Sequence, residues 1–330
     1  DEQTDKVLGA HIIGPHFFSE GLTLSTTLKS YMAFGTSYLV RPFGAIIFGY
    51  IGDKLGRIKV LQSSLILMSI GTALIAIIPS YKQIGFLAPL SLVVLRMLQG
   101  FSVSGEFSSS QLVLIESLGK DKPFLIGALG PFSASLGMLL GSLLASLVYS
   151  RILPDYSWRI AFLAASCLGL IGHFIRKNFK ETSAFKEIKN SNNFEKNPLL
   201  ASFINTPYAF FLCFFSAMFI SNFVYLGSFF FEKLALIQSN LPAFETHLTI
   251  IYGQTLATIV MIITALLTQE EKALATCKKG LVFAVILSPL MIYCSLLGNI
   301  FSLIIGQTLY GILNGVISSI LLTFVSLQFP

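Results

Sequence analysis

Apolar runs alternate with short polar breaks along almost the whole chain. Ten candidate spans follow from this pattern: a partial one at residues 6–18, then 28–51, 60–78, 88–115, 124–149, 158–175, 206–231, 248–268, 280–297 and 299–327. Each complete run is long enough to cross a ~30 Å hydrocarbon core as a helix. In lipid every backbone N–H and C=O must be satisfied within the segment, so helices are the natural solution. One break is long: residues 176–204 carry Arg176, Lys177, Lys180, Lys186, Lys189 and Lys196 among Glu and Asn. It predicts an N-terminal bundle (1–176), a central loop (177–204) and a C-terminal bundle (205–330).

Composition strengthens this picture. Of 330 residues, 54% are hydrophobic and only 12% charged, about half the charge of a soluble domain. That argues against disorder, a nucleic-acid partner and an ordinary soluble enzyme. The net charge of +6 fits basic loops on one side of a membrane better than a polyanion surface. With the loop at 52–59 placed inside, alternate loops on that side hold fourteen Lys/Arg, against four on the other. This predicts a cytoplasmic central loop and cytoplasmic termini. The four cysteines have no CxxC spacing and suggest neither a disulfide framework nor a metal site. Cys277 reads as part of a basic loop. No GxSxG, Walker or HExxH pattern is present, so no enzyme is expected.

The loop after the second span reads Gly49-Tyr50-Ile51-Gly52-Asp53-Lys54-Leu55-Gly56-Arg57-Ile58-Lys59-Val60. Gly49 and Gly52 allow close helix approach. Gly56 allows a tight turn, Asp53 can face a helix N-terminus, and Arg57 and Lys59 suit anionic partners. The loop resembles the signature loop of the major facilitator superfamily, with Gly49, Asp53, Gly56, Arg57 and, one position displaced, Lys59 matching. Further segments resemble the metabolite–proton symporter branch, which includes proline/betaine, α-ketoglutarate, citrate and shikimate transporters. These are Leu39-Val40-Arg41-Pro42-Phe43-Gly44, the run from Arg96-Met97-Leu98-Gln99-Gly100 to Glu106, Trp158-Arg159-Ile160-Ala161-Phe162 and Glu181-Thr182-Ser183-Ala184-Phe185.

The resemblance implies an all-α membrane protein of two six-helix bundles, here incomplete, running from half of helix 1 to helix 10. In the family the signature loop locks the cytoplasmic side in one conformational state, so Gly49, Asp53, Gly56, Arg57, Lys59 and Glu106 are gating candidates. The second-half copy of the loop, residues 268–279, is degraded. The opening Glu2-Gln3-Thr4-Asp5 keeps the spacing of the branch's first-helix E-W-Y-D.

Ionisable side chains inside a membrane are costly and tend to be paired or functional. Glu2 and Asp5 are the proton-coupling candidates, because a buried carboxylate can be protonated near neutral pH. Arg41, Arg96, Gln99, Asn222, Tyr225 and Gln254 are substrate-binding or cavity candidates. Arg41 could equally brace the first bundle, and Glu106 could serve structurally. The expected protein is a monomer in a bacterial-type inner membrane. It imports a small polar metabolite, a compatible solute or an organic acid, with H⁺ as coupling ion and no cofactor or metal. A proton-independent facilitator or exchanger, or a non-transporting sensor or degenerate carrier, are the alternatives.

Overall fold

A computed structural model describes residues 16–18, 26–118, 122–149, 154, 156–182, 185–186, 203–231, 234–235, 241 and 243–326. Among the described residues, nine long helices occupy the nine complete spans read from the sequence. They are α1 (Thr26–Leu55), α2 (Arg57–Ile77), α3 (Leu87–Leu118), α4 (Pro123–Tyr149), α5 (Ser157–Lys177), α6 (Pro207–Tyr225), α7 (Ala243–Leu267), α8 (Glu270–Leu297) and α9 (Ile300–Ser326). Eight of them, α2 to α9, contain stretches long and apolar enough to cross a membrane. α1, which carries Arg41 and Pro42 in its interior, is not among the eight.

The chain divides into two compact units. Among the described residues, the first contains those up to 113 and those from 147 to 186; the second contains those from 114 to 146 and from 203 to 326. Most of α4 belongs to the second unit.

In the first unit, α2 and α5 run antiparallel along their whole length. Ser166 Oγ donates to the Ser69 carbonyl at 2.8 Å, and the bare Cα of Gly169 leaves room for the Ser69 hydroxyl. α1 and α3 run parallel and touch backbone to backbone. A Cβ on Gly100 would lie 2.0 Å from the Ser37 carbonyl oxygen, and one on Gly44 would lie 2.6 Å from that of Phe101. Without a hydrophobic drive between helices in lipid, such small-residue contacts supply the packing. The expected close approach at Gly49 does not occur within this unit, where nothing comes within 4 Å of its missing side chain. The glycines that bring α1 to α3 lie elsewhere, at Gly44, Gly100 and Gly105.

The second unit repeats the device with α7 and α9, also parallel. Cβ atoms on Gly311 and Gly315 would each lie 2.7 Å from a carbonyl oxygen of α7, those of Gly253 and Ala257. Its core gathers Phe223 and Phe231 against α8 and α9, with Met291, Tyr310, Ile317 and Ile320 almost fully buried. Past Tyr225 the helix widens into a π-turn, Leu226–Phe230. Gly227 lies there against the Tyr310 ring, where no Cβ could fit. The stretch read as a degraded loop, 268–279, is mostly the first part of α8. The helix begins at residue 270, Glu271 lies in its first turn, where an acidic residue complements the helix dipole, and the run Lys272–Ala275 consists of strong helix formers. Cys277, read as a loop residue, is buried in this helix.

Candidate functional site

The first unit holds polar groups at three levels. At one end, α1 stops at Leu55 and the chain turns through Gly56, whose φ of 106° suits glycine. α2 starts at Arg57. Its first backbone N–H groups need acceptors, and Glu181 supplies one. Its Oε1 accepts from Arg57 N at 3.0 Å and from Ile58 N at 3.3 Å. The carboxylate at this helix start is thus Glu181 rather than the expected Asp53, which is exposed. Desolvation pushes the Asp53 carboxyl upward, and the Arg57 charge opposes that shift. Lys59 is exposed as well.

Beside this turn, Glu106 on α3 pairs with Arg176 at 2.5 Å and accepts from Ser64 Oγ of α2 at 3.2 Å. The Arg176 carbonyl accepts from Gln62 Nε2 at 3.0 Å. Arg176 belongs to the last turn of α5, a position where a cation meets the negative end of the helix dipole.

At the opposite end of α2, Arg159 plays the complementary part. It donates to the Ala76 carbonyl, to the Ile78 carbonyl at 2.9 Å and to His16 Nε2 at 2.7 Å, and its guanidinium stacks 4.7 Å from the Trp158 ring centroid. An arginine only donates, so Nε2 of His16 accepts and the imidazole proton sits on Nδ1. α2 therefore meets an acid at its start, from the segment after α5, and a base at its end, from the first turn of α5.

Between these ends lies the intramembrane group. Arg96 donates from Nη1 to Gln99 Oε1 at 3.2 Å, and Gln99 Nε2 donates to Thr72 Oγ1 at 2.8 Å. The Phe34 and Phe162 ring centroids lie 6.0 and 5.8 Å from the Arg96 guanidinium carbon. Arg41 lies over the Tyr38 ring at 4.1 Å. Arg96 follows Leu87 by nine positions, about 14 Å along α3, well inside the helix.

In the second unit Gln254 Oε1 accepts from Ser142 Oγ at 3.2 Å. One turn on, Thr258 Oγ1 meets Ser135 Oγ at 2.7 Å. Tyr310, Asn314 and Ser318 form a buried polar ladder on α9. Asn222 is exposed and donates to the Met218 carbonyl of its own helix at 2.8 Å. Tyr225 is half-buried at the entry to the π-turn. Glu2 and Asp5 lie outside the described residues. Sequence reading missed the roles of Glu181 and Arg159 at the ends of α2. Both fall in motifs that it singled out, and that was the available signal. Among the described residues, no cluster of His, Cys, Asp and Glu could hold a metal ion.

The model of the Major Facilitator Superfamily matches residues 10–330. The Shikimate transporter of Escherichia coli is 33% identical over 210 residues, covering 62% of this chain and 48% of that protein. The Proline/betaine transporter of the same organism is 35% identical over 182 residues, 54% of this chain and 36% of that one. The Glycine betaine/proline/ectoine/pipecolic acid transporter OusA of Dickeya dadantii is also 35% identical over 182 residues, with the same coverage. The chain thus spans half or less of the length of these curated relatives, all of which are transporters rather than enzymes. Among solved structures, the proton:xylose symporter XylE superposes with a TM-score of 0.75 at 14% identity, covering 99% of this chain and 81% of that one. Its partially occluded inward-open form from E. coli gives 0.65 at 13% identity, with the same coverage. That likeness is one of fold. With the apolar helices and the family match taken together, the chain is a multi-pass membrane protein and belongs to the Major Facilitator Superfamily.

Proposed function

We propose that this chain is part of a secondary transporter that imports a small polar metabolite, a compatible solute or an organic acid, by proton symport with alternating access. The observation that carries this reading is the Arg96–Gln99–Thr72 chain, a charge held inside apolar helices at a cost of at least ~2.5–3.5 kcal/mol on insertion scales. An ionisable group at that depth marks, by default, a site of work on a solute or a coupling ion. The relatives' names supply the class of solute: shikimate, proline, betaine, ectoine and pipecolic acid are small polar molecules. Glu2 and Asp5 remain the proposed proton carriers. Gly56, Arg57, Glu181, Glu106 and Arg176 form the proposed gate. We place the protein in a bacterial-type inner membrane as a monomer, surrounded by lipid.

The test is uptake by purified protein in proteoliposomes, screening betaine, proline, α-ketoglutarate, citrate and shikimate with and without an inward proton gradient. Accumulation that an uncoupler abolishes supports symport. Equilibration independent of the gradient makes the protein a facilitator and removes the role given to Glu2 and Asp5. Absence of saturable uptake for every solute leaves the non-transporting reading in its place.

A further inference from the structure

We infer that His16 and Arg159 form a proton-operated latch: the neutral imidazole holds the guanidinium that fastens the end of α2, and a proton on that imidazole opens the contact. The inference stands apart from the transport reading and concerns a proton site other than Glu2 and Asp5.

The contact works in one protonation state only. Arg159 Nη2 lies 2.7 Å from His16 Nε2 and 2.9 Å from the Ile78 carbonyl oxygen, while Nη1 reaches the Ala76 carbonyl. A guanidinium has donors and no acceptor, so Nε2 of His16 must present its lone pair. Protonation puts a hydrogen on that nitrogen. The ring then has only donors, and two like charges stand at hydrogen-bond distance where partial burial weakens their screening. The surroundings do not compensate. Among the described residues no carboxylate is bonded to either partner. Phe17 and Trp158 meet the imidazole with ring centroids 5.0 and 5.4 Å away. Of the other ionisable groups on the surrounding elements, Tyr81 packs at the edge of the cluster, Lys82 is exposed and Lys29 lies near the start of α1. Glu20 and Asp155, close by in the sequence, lie outside the described residues.

The neighbouring residue makes the proton matter to the fold. Phe17 is fully buried, packed in one cluster with Ile75 and Ile78 at the end of α2, Ala88 and Leu92 at the start of α3, and Trp158. Phe17 anchors the backbone there, and His16, only partly buried, stands between solvent and the guanidinium. A proton can therefore reach the ring while the anchor keeps it in place. Because Nη2 is shared between His16 and the Ile78 carbonyl, expelling the imidazole also disturbs the fastening of α2. The folded contact favours the neutral ring. Its stabilisation is full above the free imidazole value of about 6.5 and is lost as the pH falls below it.

Trp158 is the single tryptophan of the sequence. It touches both partners, with the Arg159 guanidinium carbon 4.7 Å from its ring centroid, so its emission reads the latch. The experiment is a titration of the detergent-purified protein from about pH 8 to about pH 5, following tryptophan emission and amide hydrogen exchange. An imidazolium quenches a neighbouring indole more than a neutral imidazole does. We expect emission to change along a single-proton curve with its midpoint below about 6.5. Exchange in the last turn of α2, corrected for its intrinsic pH dependence, should quicken about tenfold or more over the same range. In His16→Gln and His16→Asn, whose amide oxygens accept without titrating, both changes should vanish. In His16→Lys, a fixed cation, exchange should be fast throughout. Melting temperatures at the alkaline end report which variants fold, and one folded amide variant suffices. A wild-type protein that shows neither change overturns the latch, and so does the same curve in a folded amide variant. An emission change with exchange unaltered overturns it too, since the proton would then bind without opening anything.

Discussion

The carboxylate of Glu181 caps the helix that begins at Arg57, 124 residues earlier in the chain. It fills a position that α2 cannot satisfy from its own side chains, since Gly56 at the helix start has none. Removing it as Glu181→Ala should lower stability by about 0.5–2 kcal/mol, the usual cost of losing an N-cap acceptor. Glu181→Gln should cost less, because an amide oxygen still accepts. Thermal unfolding of the purified protein followed by circular dichroism gives the comparison, and equal stability of Glu181→Ala and wild type would refute the cap.

Gly56→Ala should be more damaging than an ordinary loop substitution. It forces an L-residue to a φ of 106° and drives a Cβ to 2.2 Å from Glu181 Oε2. Strain of about 1–3 kcal/mol at such a position adds to a disturbed cap. In the double variant with Glu181→Ala the collision is gone and the strain remains. The two effects should therefore combine to less than their sum, which is read as a coupling energy in a double-mutant cycle.

The Glu106–Arg176 pair is about three-quarters buried at each side chain. Removal of one partner leaves the other short of its counter-charge inside the membrane protein. Arg176→Ala and Glu106→Ala should each destabilise by about 1–3 kcal/mol, below the 3–5 kcal/mol of a fully buried pair. The cycle through the double variant should return at least about 1 kcal/mol of coupling, and additivity of the two would show the contact to be idle.

Glycines within the spans should respond unequally to the same small change. Gly100→Ala places a methyl 2.0 Å from the backbone oxygen of Ser37, while Gly137→Ala meets nothing within 4 Å. The first should cost about 1–3 kcal/mol by overpacking. The second should be neutral or slightly stabilising, because alanine is the better helix former. In the other unit Gly311→Ala should behave like Gly100→Ala. Melting temperatures of the three variants decide the matter, and a drop for Gly137→Ala alone would reverse the assignment.

Arg159→Lys keeps a positive charge at the end of α2 but offers one donor group where a planar fork now reaches two carbonyls and His16. A loss of about 1–3 kcal/mol is expected. Faster amide exchange should localise to the last turn of α2, and protection unchanged there would contradict the proposed fastening.

The helices were legible because a span is a local property. Nine runs of apolar residues can be read without knowing what they touch. Where local reading failed, the cause was specific. Residues 270–279 carry enough charge to resemble a loop, yet Glu271, Lys272 and Ala273 favour helix, and the chain stays wound. The partners of Glu106 and of the start of α2 were illegible, since they come from segments 70 and 124 residues distant. The polar face of α3 carrying Arg96 and Gln99 could be drawn from helical spacing. Thr72 as its continuation could not, because nothing local marks a threonine in an apolar run as a partner.

The dependence of α2 on the first turn of α5 and on the segment after it also bears on how the protein is made. When α2 first enters the bilayer, neither the base at residue 159 nor the acid at residue 181 has been synthesised. The terminal peptide groups of α2 must then be met by water or lipid headgroups. Arg159 arrives first and fastens one end; Glu181 follows 22 residues later, about 1–4 s at ordinary elongation rates. The segment is therefore completed from its far end back toward its beginning, and a nascent chain released between those two residues would hold α2 by one end only.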